Sequence, residues 1–198
     1  MKKRVGVFSG SFDPVHEGHL AFALEAAREA ELERVCFLPE TSPPGKGDIT
    51  DVAHRVAMLH LAIKPYAQLG VLEQPVEQLS VGETLPRLEQ HFAGSQIFFL
   101  MGVEVLVYLP SWPFAEQLLA RCGLIVATRR ESRQWVVDIV ATLATPPRAL
   151  YIIETPHRAV ASTDIRSAIV TGSPGTGSLT SVEAYIKEHH LYSVAADP

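Results

Sequence analysis

Two histidines, His16 and His19, stand three residues apart where a helix is predicted to begin. Glycine lets a ligand approach the backbone closely, the start of a helix offers unpaired N–H groups, and side chains three residues apart share one helix face. Together these features predict a phosphate cradle with two imidazole donors. We assign phosphate binding at this loop to Gly10, Ser11, Phe12 and Gly18.

Two other interpretations of the histidine pair stay open. His16 and His19 are also compatible with polar residues near a helix start that have no chemical task. A His-x-x-His pair can supply half of a zinc site, but the sequence offers no third cluster of ligands. The glycine before the second histidine favours crowding by a large ligand, and we predict no metal site.

A second polar helix start is predicted late in the chain, at Ser162 and Thr163. Either hydroxyl can cap the helix, and Asp164 suits its first turn. Free N–H groups and the nearby Arg166 together can hold phosphate oxygens. An ordinary capped helix explains the same residues equally well when the segment is considered alone.

Two irregular segments, 40–50 and 172–177, are long for a compact domain, and such loops tend to bind ligands or act as lids. The first follows a predicted strand, and open α/β sheets bind ligands at the carboxyl ends of their strands. Lys46 lies in this loop. Trp112 follows a Pro-Ser turn, where an indole can stack on a flat heteroaromatic ring or, alternatively, cover the edge of the core.

Strand and helix patterns alternate along most of the chain. Short apolar runs predict buried strands at 5–8, 34–38, 70–73, 97–101, 124–127 and 150–153. Apolar residues at helical spacing predict helices at 17–30, 52–63, 82–92, 114–120, 135–143, 163–170 and 182–189. These repeated units predict a mostly parallel sheet with helices on both faces. We expect a single domain, 1–198, with its sheet core in 1–155 and a small helical part in 156–198.

Composition excludes several classes of protein. The chain of 198 residues is 47% hydrophobic and 20% charged, which is average for a globular domain and unlike a disordered or collagen-like chain. Its net charge of −5 favours neither nucleic acid nor an anionic membrane as a partner. Both cysteines, Cys36 and Cys122, lie in apolar stretches, where a thiol usually packs as a small hydrophobic group.

The apolar runs also bear on location. The first run, 5–8, is shorter than a signal sequence needs, and the longest, 97–109, is shorter than a membrane span. We therefore expect a cytoplasmic protein without a membrane partner. A homo-oligomer stays open, because residue identities do not report the oligomeric state.

The loop motif resembles that of the nucleotidyltransferases that share an H-x-G-H signature, here His16-Glu17-Gly18-His19. Within that superfamily, the longer run Gly-Ser-Phe-Asp-Pro-x-His-x-Gly-His is similar to the bacterial nicotinate mononucleotide adenylyltransferases. Their late I-S-S-T-x-I-R motif is matched by Val160-Ala161-Ser162-Thr163-Asp164-Ile165-Arg166. Further collinear matches at 43–46, 55–59, 99–104 and 109–112 extend the resemblance over nearly the whole chain.

The resemblance implies a Rossmann-like, doubly wound parallel sheet, the adenine nucleotide alpha hydrolase-like fold. It also implies transfer of AMP from ATP to nicotinate mononucleotide, with pyrophosphate released, no covalent intermediate, and Mg²⁺ arriving with ATP. His16 and His19 would donate to the α-phosphate, and Arg166 is counted with them as catalytic. The other implied ATP- and phosphate-binding residues are Lys46, Gly102, Glu104, Ser162 and Thr163, and the implied acceptor-binding residues are Ser80, Gly82, Thr84 and Trp112.

Departures from the family pattern gather at the acceptor side. The family's P-P-H-K histidine is Gly45 here, its G-x-D aspartate is Glu104, and its S-Y-T-x-D-T segment is the shorter run 80–84. Ala161 also replaces the first serine of the late motif. These differences leave open another acceptor, such as nicotinamide mononucleotide or phosphopantetheine, and a non-catalytic ATP-binding homologue. A fragment of a class I aminoacyl-tRNA synthetase is disfavoured by the short chain and the negative charge.

Overall fold

A computed structural model describes residues 2–43, 49–128, 130–154, 160–173 and 176–192. Its strands are β1 Arg4–Gly10, β2 Arg34–Pro39, β3 Leu69–Val71, β4 Gln96–Gly102, β5 Gly123–Thr128 and β6 Leu150–Glu154. They form one sheet in the order β3-β2-β1-β4-β5-β6, and every neighbouring pair is parallel. This arrangement confirms the predicted Rossmann-like, doubly wound sheet.

Helices cover both faces of the sheet. They are α1 Glu17–Glu29, α2 Val52–Ile63, α3 Val81–His91, α4 Val103–Tyr108, α5 Ala115–Arg121, α6 Arg133–Ala141, α7 Ser162–Thr171 and α8 Thr180–Glu188. A 3₁₀ turn, Leu109–Ser111, follows α4. The sheet therefore has two apolar faces to bury, which explains why its strands are continuous apolar runs.

Each face of the sheet has its own core. In β4 the side chains alternate, so that Phe98 and Leu100 belong to one core while Phe99 and Met101 belong to the other. The first core includes buried residues of α1, α2 and α8, and the second includes residues of α3 and α5. The period of two along a strand thus joins both helical layers to the same central strand.

The centre of the sheet is the pair formed by β1 and β4. From β1 the chain continues to β2 on one side, whereas from β4 it continues to β5 on the other side. The loops after these two strands therefore leave in opposite directions and open a crevice at their carboxyl ends. The loop after β1 is the one that contains the predicted phosphate cradle.

The sequence prediction missed one element, the short helix α4 with the 3₁₀ turn that follows it. The valines of Val103–Tyr108 favour a strand on propensity alone. Tertiary packing decides otherwise, because Val103 and Leu106 are both buried and lie three residues apart on one helical face. The other predicted strands and helices lie within two residues of the observed bounds.

Helix α8 packs against the first core through Val182 and Ile186. Just before α8, the carbonyl of Gly177 accepts the N–H of Glu17, the first residue of α1, at 3.0 Å. Gly177 has a φ of +77°, and a Cβ there would overlap the side chain of Val160. The expected boundary at 155–156 lies outside the described residues, so the division of the domain stays a prediction.

Candidate active site

A cavity of about 900 Å³ lies at the carboxyl ends of β1 and β4. Its position is where an open parallel sheet binds ligands, and cavities of roughly 300–1,000 Å³ are typical of small-molecule sites. Most of the residues that the sequence analysis assigned to the site line this cavity. They are Gly10, Ser11, Phe12, His16, Gly18, His19, Ser80, Gly102, Glu104, Trp112 and Ser162.

The two histidine rings are stacked in the wall of the cavity. Their centroids are 3.7 Å apart and their planes differ by 24°. His16 is the N-cap of α1, and its backbone N–H donates to Nδ1 of His19 at 3.3 Å. Because a backbone N–H can only donate, Nδ1 of His19 accepts, and the neutral ring carries its proton on Nε2. His19 is thereby set up as a hydrogen-bond donor through Nε2.

An aromatic cluster supports the His19 ring. Phe12 is buried in a left-handed conformation with φ of +50°, and its ring meets those of His19 and Phe37 nearly edge-on, each at 5.2 Å. Gly10 makes this arrangement fit, because a Cβ at that position would lie 3.2 Å from Cζ of Phe12. Gly10 and Phe12 therefore shape the wall that orients the histidine.

The start of α7 is hydrogen-bonded to the loop that leads into α1. Oγ of Ser162 donates to the carbonyl of Pro14 at 2.9 Å, and Nη1 of Arg166 donates to the carbonyl of Asp13 at 2.6 Å. Nη2 of Arg166 is 3.4 Å from Oγ1 of Thr163. Thr163 and Arg166 do not line the cavity, so their contact with phosphate stays a prediction.

Arg55 of α2 is a buried residue that the sequence analysis did not assign to the site. Arg55 is 1% exposed, and its guanidinium donates to the carbonyls of Ser11, Glu40 and Thr50 at 2.6, 2.9 and 2.7 Å. Burial lowers the pKa of Arg55, and the nearby Asp13 counteracts part of that effect. Arg55 thus fastens the phosphate-cradle loop to both ends of the segment that contains Lys46. The signal in the sequence was an arginine on the apolar face of a helix.

Asp13 is a second buried residue that sequence reasoning passed over. Its Oδ2 accepts the N–H of Thr50 at 3.3 Å, and its Oδ1 accepts the hydroxyl of Tyr192 at 2.6 Å. Asp13 is 2% exposed and lies three residues before His16. No pattern in the sequence could pair it with Tyr192, which is 179 residues away along the chain.

The start of α3 contains three of the residues assigned to the acceptor. Ser80, its N-cap, lines the cavity, and its backbone N–H donates to Oγ1 of Thr84 at 3.1 Å. Thr84 is buried and does not line the cavity, and neither does Gly82, which faces the ring of Phe114. Of the three, Ser80 is the residue that the cavity exposes to a ligand.

Trp112 and Tyr108 are among the aromatic side chains that line the cavity. Trp112 ends the 3₁₀ turn, where its N–H donates to the carbonyl of Leu109 at 3.0 Å, and it packs against the second core. Tyr108 also lines the cavity and is 67% exposed. The sequence analysis missed Tyr108, because it belongs to the helix that was not predicted. Together these residues present flat surfaces on which a planar ring could stack.

Two carboxylates line the cavity. Glu40 follows β2 and is 8% exposed, and its Oε1 accepts the hydroxyl of Ser9 at 2.7 Å. Glu104 lies in the first turn of α4, and its carboxylate folds back over Gly102. Glu104 was assigned from the sequence, whereas Glu40 was not.

Three further findings concern what the described residues contain. Lys46 lies outside them, so its predicted role is not tested. Among the described residues, no group of three or more His, Cys, Asp or Glu side chains is arranged to hold a metal ion. Along the same parts of the chain, no helix combines the length and the apolar character that crossing a membrane requires.

A family model described as cytidylyltransferase-like matches residues 7–168. This match covers both the loop after β1 and the start of α7. The chain therefore belongs to the cytidylyltransferase-like family.

Two individual relatives have names that are more specific than that of the family. The chain is 33% identical to the "Nicotinate-nucleotide adenylyltransferase" of Bacillus subtilis (strain 168), over 96% of this chain and 98% of that protein. It is 32% identical to the "Probable nicotinate-nucleotide adenylyltransferase" of Synechococcus sp. (strain JA-2-3B'a(2-13)), over 96% and 97% of the two chains.

A solved structure supports the fold. The Plasmodium falciparum nicotinic acid mononucleotide adenylyltransferase complexed with NaAD superposes with a TM-score of 0.78, over 96% of this chain and 97% of that chain. Since the two sequences are 15% identical, this likeness concerns the fold alone.

Proposed function

We propose that this protein is a nicotinate mononucleotide adenylyltransferase, which transfers AMP from ATP to nicotinate mononucleotide in NAD biosynthesis. The products are nicotinate adenine dinucleotide and pyrophosphate. One observation carries the proposal: the stacked His16–His19 pair lines the cavity between β1 and β4 in a chain of this family. The nearly full-length similarity to relatives with that name supports the choice of reaction.

The reaction is a direct displacement at phosphorus. An oxygen of the mononucleotide phosphate attacks the α-phosphorus of ATP, and the bond from that phosphorus to the oxygen bridging it to the β-phosphorus breaks. Pyrophosphate takes the bonding electrons and leaves. Such a reaction depends on positioning and on stabilising the developing charge rather than on a nucleophilic side chain.

The histidines supply the donors for that charge. Nε2 of His19 carries a proton in the neutral ring, because Nδ1 is occupied as an acceptor. We assign His16 and His19 to the oxygens of the α-phosphate, with the backbone at Gly10 and Ser11 beside them. Preorganised donors of this kind typically contribute about 10²- to 10³-fold to the rate.

The β- and γ-phosphates are assigned to the start of α7 and to the loop after β2. Ser162 already lines the cavity, and Arg166 lies beside the loop after β1 through its bond to the carbonyl of Asp13. Lys46 and Thr163 complete this proposed set. Mg²⁺ would enter as part of the MgATP substrate, held by the substrate phosphates together with water.

The acceptor ring is assigned to the side of the cavity formed by Ser80 and Trp112. An indole face suits a pyridine ring, because offset aromatic stacking is favourable. Gly82 and Thr84 belong to the same proposed set through the start of α3, where Thr84 holds the backbone of Ser80. The chain would act as one domain, with α7 and α8 completing the site.

A second acceptor, nicotinamide mononucleotide, is favoured by one specific observation. Apart from the histidines, the ionisable acidic or basic groups described in the cavity lining are Glu40, Glu104 and the phenol of Tyr108. Two carboxylates repel the carboxylate of nicotinate, whereas they can accept hydrogen bonds from an amide. The experiment must therefore distinguish nicotinamide mononucleotide, which has a neutral amide, from nicotinate mononucleotide.

Pyrophosphate release from MgATP tests both acceptors. The purified protein is assayed with nicotinate mononucleotide, nicotinamide mononucleotide and phosphopantetheine in parallel, with His19→Ala as the control. We expect turnover that depends on His19 and is fastest with nicotinate mononucleotide. Faster turnover with nicotinamide mononucleotide would show that this nucleotide, and not nicotinate mononucleotide, is the acceptor. Binding of ATP without release of pyrophosphate in the presence of any of the three acceptors would overturn the proposed enzymatic function.

A further inference from the structure

The C-terminal segment reaches the phosphate-cradle loop through a single side chain. Tyr192 follows α8, and its hydroxyl donates to Oδ1 of Asp13 at 2.6 Å. Its backbone has a φ of +61°, a left-handed conformation that residues with side chains seldom adopt. Such a conformation persists when its surroundings hold it, and here the side chain packs against the first core.

The hydrogen bond acts on the buried carboxylate of Asp13. Oδ2 of Asp13 accepts the N–H of Thr50, while Oδ1 accepts the Tyr192 hydroxyl. A buried carboxylate that loses a donor moves or recruits water, because an unsatisfied charged oxygen is costly. Asp13 directly follows Phe12, whose ring contacts His19, and lies three residues before His16, whose ring stacks on His19.

We propose that Tyr192 is a positioning residue for adenylyl transfer: its hydroxyl fixes Asp13, and Asp13 fixes the loop that presents His16 and His19. This inference rests on the proposed function, since it concerns the geometry of the same site. Tyr192 does not line the cavity and acts through Asp13. Tyr192, the last residue that the structure describes, would thereby affect the rate of adenylyl transfer.

The protonation state of the phenol fits this role. Burial raises the pKa of Tyr192 well above its ordinary value, and donation to Asp13 raises it further. The hydroxyl therefore stays protonated, and stays a donor, throughout the pH range in which the enzyme would work.

Tyr192→Phe tests the proposal, and the chain offers a matched control in Tyr185→Phe. Tyr185 lies on α8, packs against the same core, and its hydroxyl is hydrogen-bonded to Nδ1 of His54 at 2.9 Å, away from the loop. Each variant removes one hydrogen-bonded hydroxyl from the C-terminal segment. A general loss of packing or stability would affect both variants alike, and only Tyr192→Phe releases Asp13.

We expect kcat of Tyr192→Phe to fall about tenfold or more, since small misplacements of catalytic groups cost up to about 100-fold. KM for ATP and for the mononucleotide should stay within about twofold of wild type, and Tyr185→Phe should keep the wild-type kcat. Equal kcat values for the two tyrosine variants would overturn the proposal.

A double-mutant cycle shows whether the effect passes through Asp13. Asp13→Asn should lower kcat by itself, and adding Tyr192→Phe to it should then have less than about a twofold further effect, because the two residues act as one unit. Fully multiplicative losses would mean that Tyr192 acts by another route.

Hydrogen exchange provides a readout that does not depend on activity. Backbone amides of the segment 10–16 should exchange faster in Tyr192→Phe than in Tyr185→Phe or wild type. If the wild-type protein shows no adenylyl transfer, the proposed function fails while this measurement still tests the contact. Unchanged exchange in that segment would reject the positioning role whatever the enzyme's activity.

Discussion

At the scale of single residues, His19 has the most specific proposed role, that of a hydrogen-bond donor to the α-phosphate. The N–H of His16 fixes its tautomer, and Phe12 supports its ring. These contacts come from the backbone and from an apolar wall, so the ring is oriented before any substrate arrives. Preorganised donors of this kind lower the barrier without a cost of reorientation at the moment of reaction.

Replacing His19 should therefore damage the rate far more than the fold. We expect His19→Ala to lower turnover at least about 100-fold, because one preorganised donor is lost, while the free energy of unfolding changes by about 1 kcal/mol or less. Initial rates of pyrophosphate release measure the turnover, and urea denaturation measures the free energy of unfolding. The control is His60→Ala, an exposed histidine of α2 beside Glu73. Wild-type turnover in His19→Ala would make the catalytic assignment wrong.

The two cysteines should be chemically inert in the folded protein. Burial raises the pKa of Cys36 to about 11 and that of Cys122 to about 12, so that below those values each sulfur is mainly the unreactive thiol. We expect alkylation at pH 8 to be slow in buffer and fast in denaturant, as followed by mass spectrometry. Rapid alkylation of either native thiol would contradict this burial.

Residue identities could predict the histidine loop because its motif is local. All of its key residues lie between 10 and 19, and their types alone indicate contact with phosphate. Arg55, Glu40 and Tyr192 could not be assigned in the same way, since each acts through contacts with distant segments. Their positions depend on the order of strands in the sheet, which no short motif encodes.

At the scale of elements, the loop after β1 is held from three directions. Arg55 of α2 binds the carbonyl of Ser11, the start of α7 binds the carbonyls of Asp13 and Pro14, and the segment after α8 binds the Asp13 side chain. A loop at the carboxyl edge of a sheet thus gains the rigidity that loops seldom have on their own.

Arg55→Met should remove the attachment between α2 and this loop. The three carbonyls that Arg55 serves would lose a buried charged donor, and leaving buried acceptors unsatisfied costs about 1–3 kcal/mol each. We expect the free energy of unfolding to fall by about 3 kcal/mol or more in urea denaturation.

Arg87→Met is the matched control for that experiment. Arg87 lies on the exposed side of α3, where its Nη2 donates to Gln74 at 2.9 Å, and loss of an exposed contact of this kind costs about 1 kcal/mol or less. A similar small loss for Arg55→Met would show that Arg55 does not tie the two segments together.

The turn after α4 should govern affinity for the acceptor. Trp112→Ala removes the indole from the cavity wall, and we expect KM for nicotinate mononucleotide to rise about tenfold while KM for ATP changes little. Steady-state kinetics with each substrate varied in turn measures both values. Trp135→Ala is the control, because Trp135 is exposed on α6 and does not line the cavity. Equal KM changes in both tryptophan variants would remove Trp112 from the acceptor site.

Elements were predictable wherever periodicity was strong. Parallel strands buried on both faces are continuous apolar runs, and the longer helices have clear apolar faces, so both could be predicted from the sequence. Helix α4 could not be predicted in this way, because its Val-Glu-Val-Leu-Val-Tyr sequence has the composition of a strand. Its helical form depends on burial of Val103 and Leu106 in the second core.

At the scale of the whole molecule, the sheet order determines where the chemistry is. From β1 the chain moves across the sheet to one side and from β4 to the other, and this change opens the crevice. The family match, residues 7–168, includes β4 and the last four residues of β1. Helix α7 and the segment after α8 are hydrogen-bonded to the loop after β1, through Ser162, Arg166 and Tyr192. The comparisons confirm the family resemblance over nearly the full chain, whereas the individual site roles stay predictions.

In the proposed reaction AMP passes directly from ATP to the mononucleotide while both are bound in this one cavity. The most direct measurement is to incubate the protein with nicotinate mononucleotide and MgATP labelled at the α-phosphorus, and to follow the label. We expect the label to enter a dinucleotide as fast as pyrophosphate forms, and none of it to become bound to the protein. Label retained in ATP, or found on the protein, would contradict the proposed reaction.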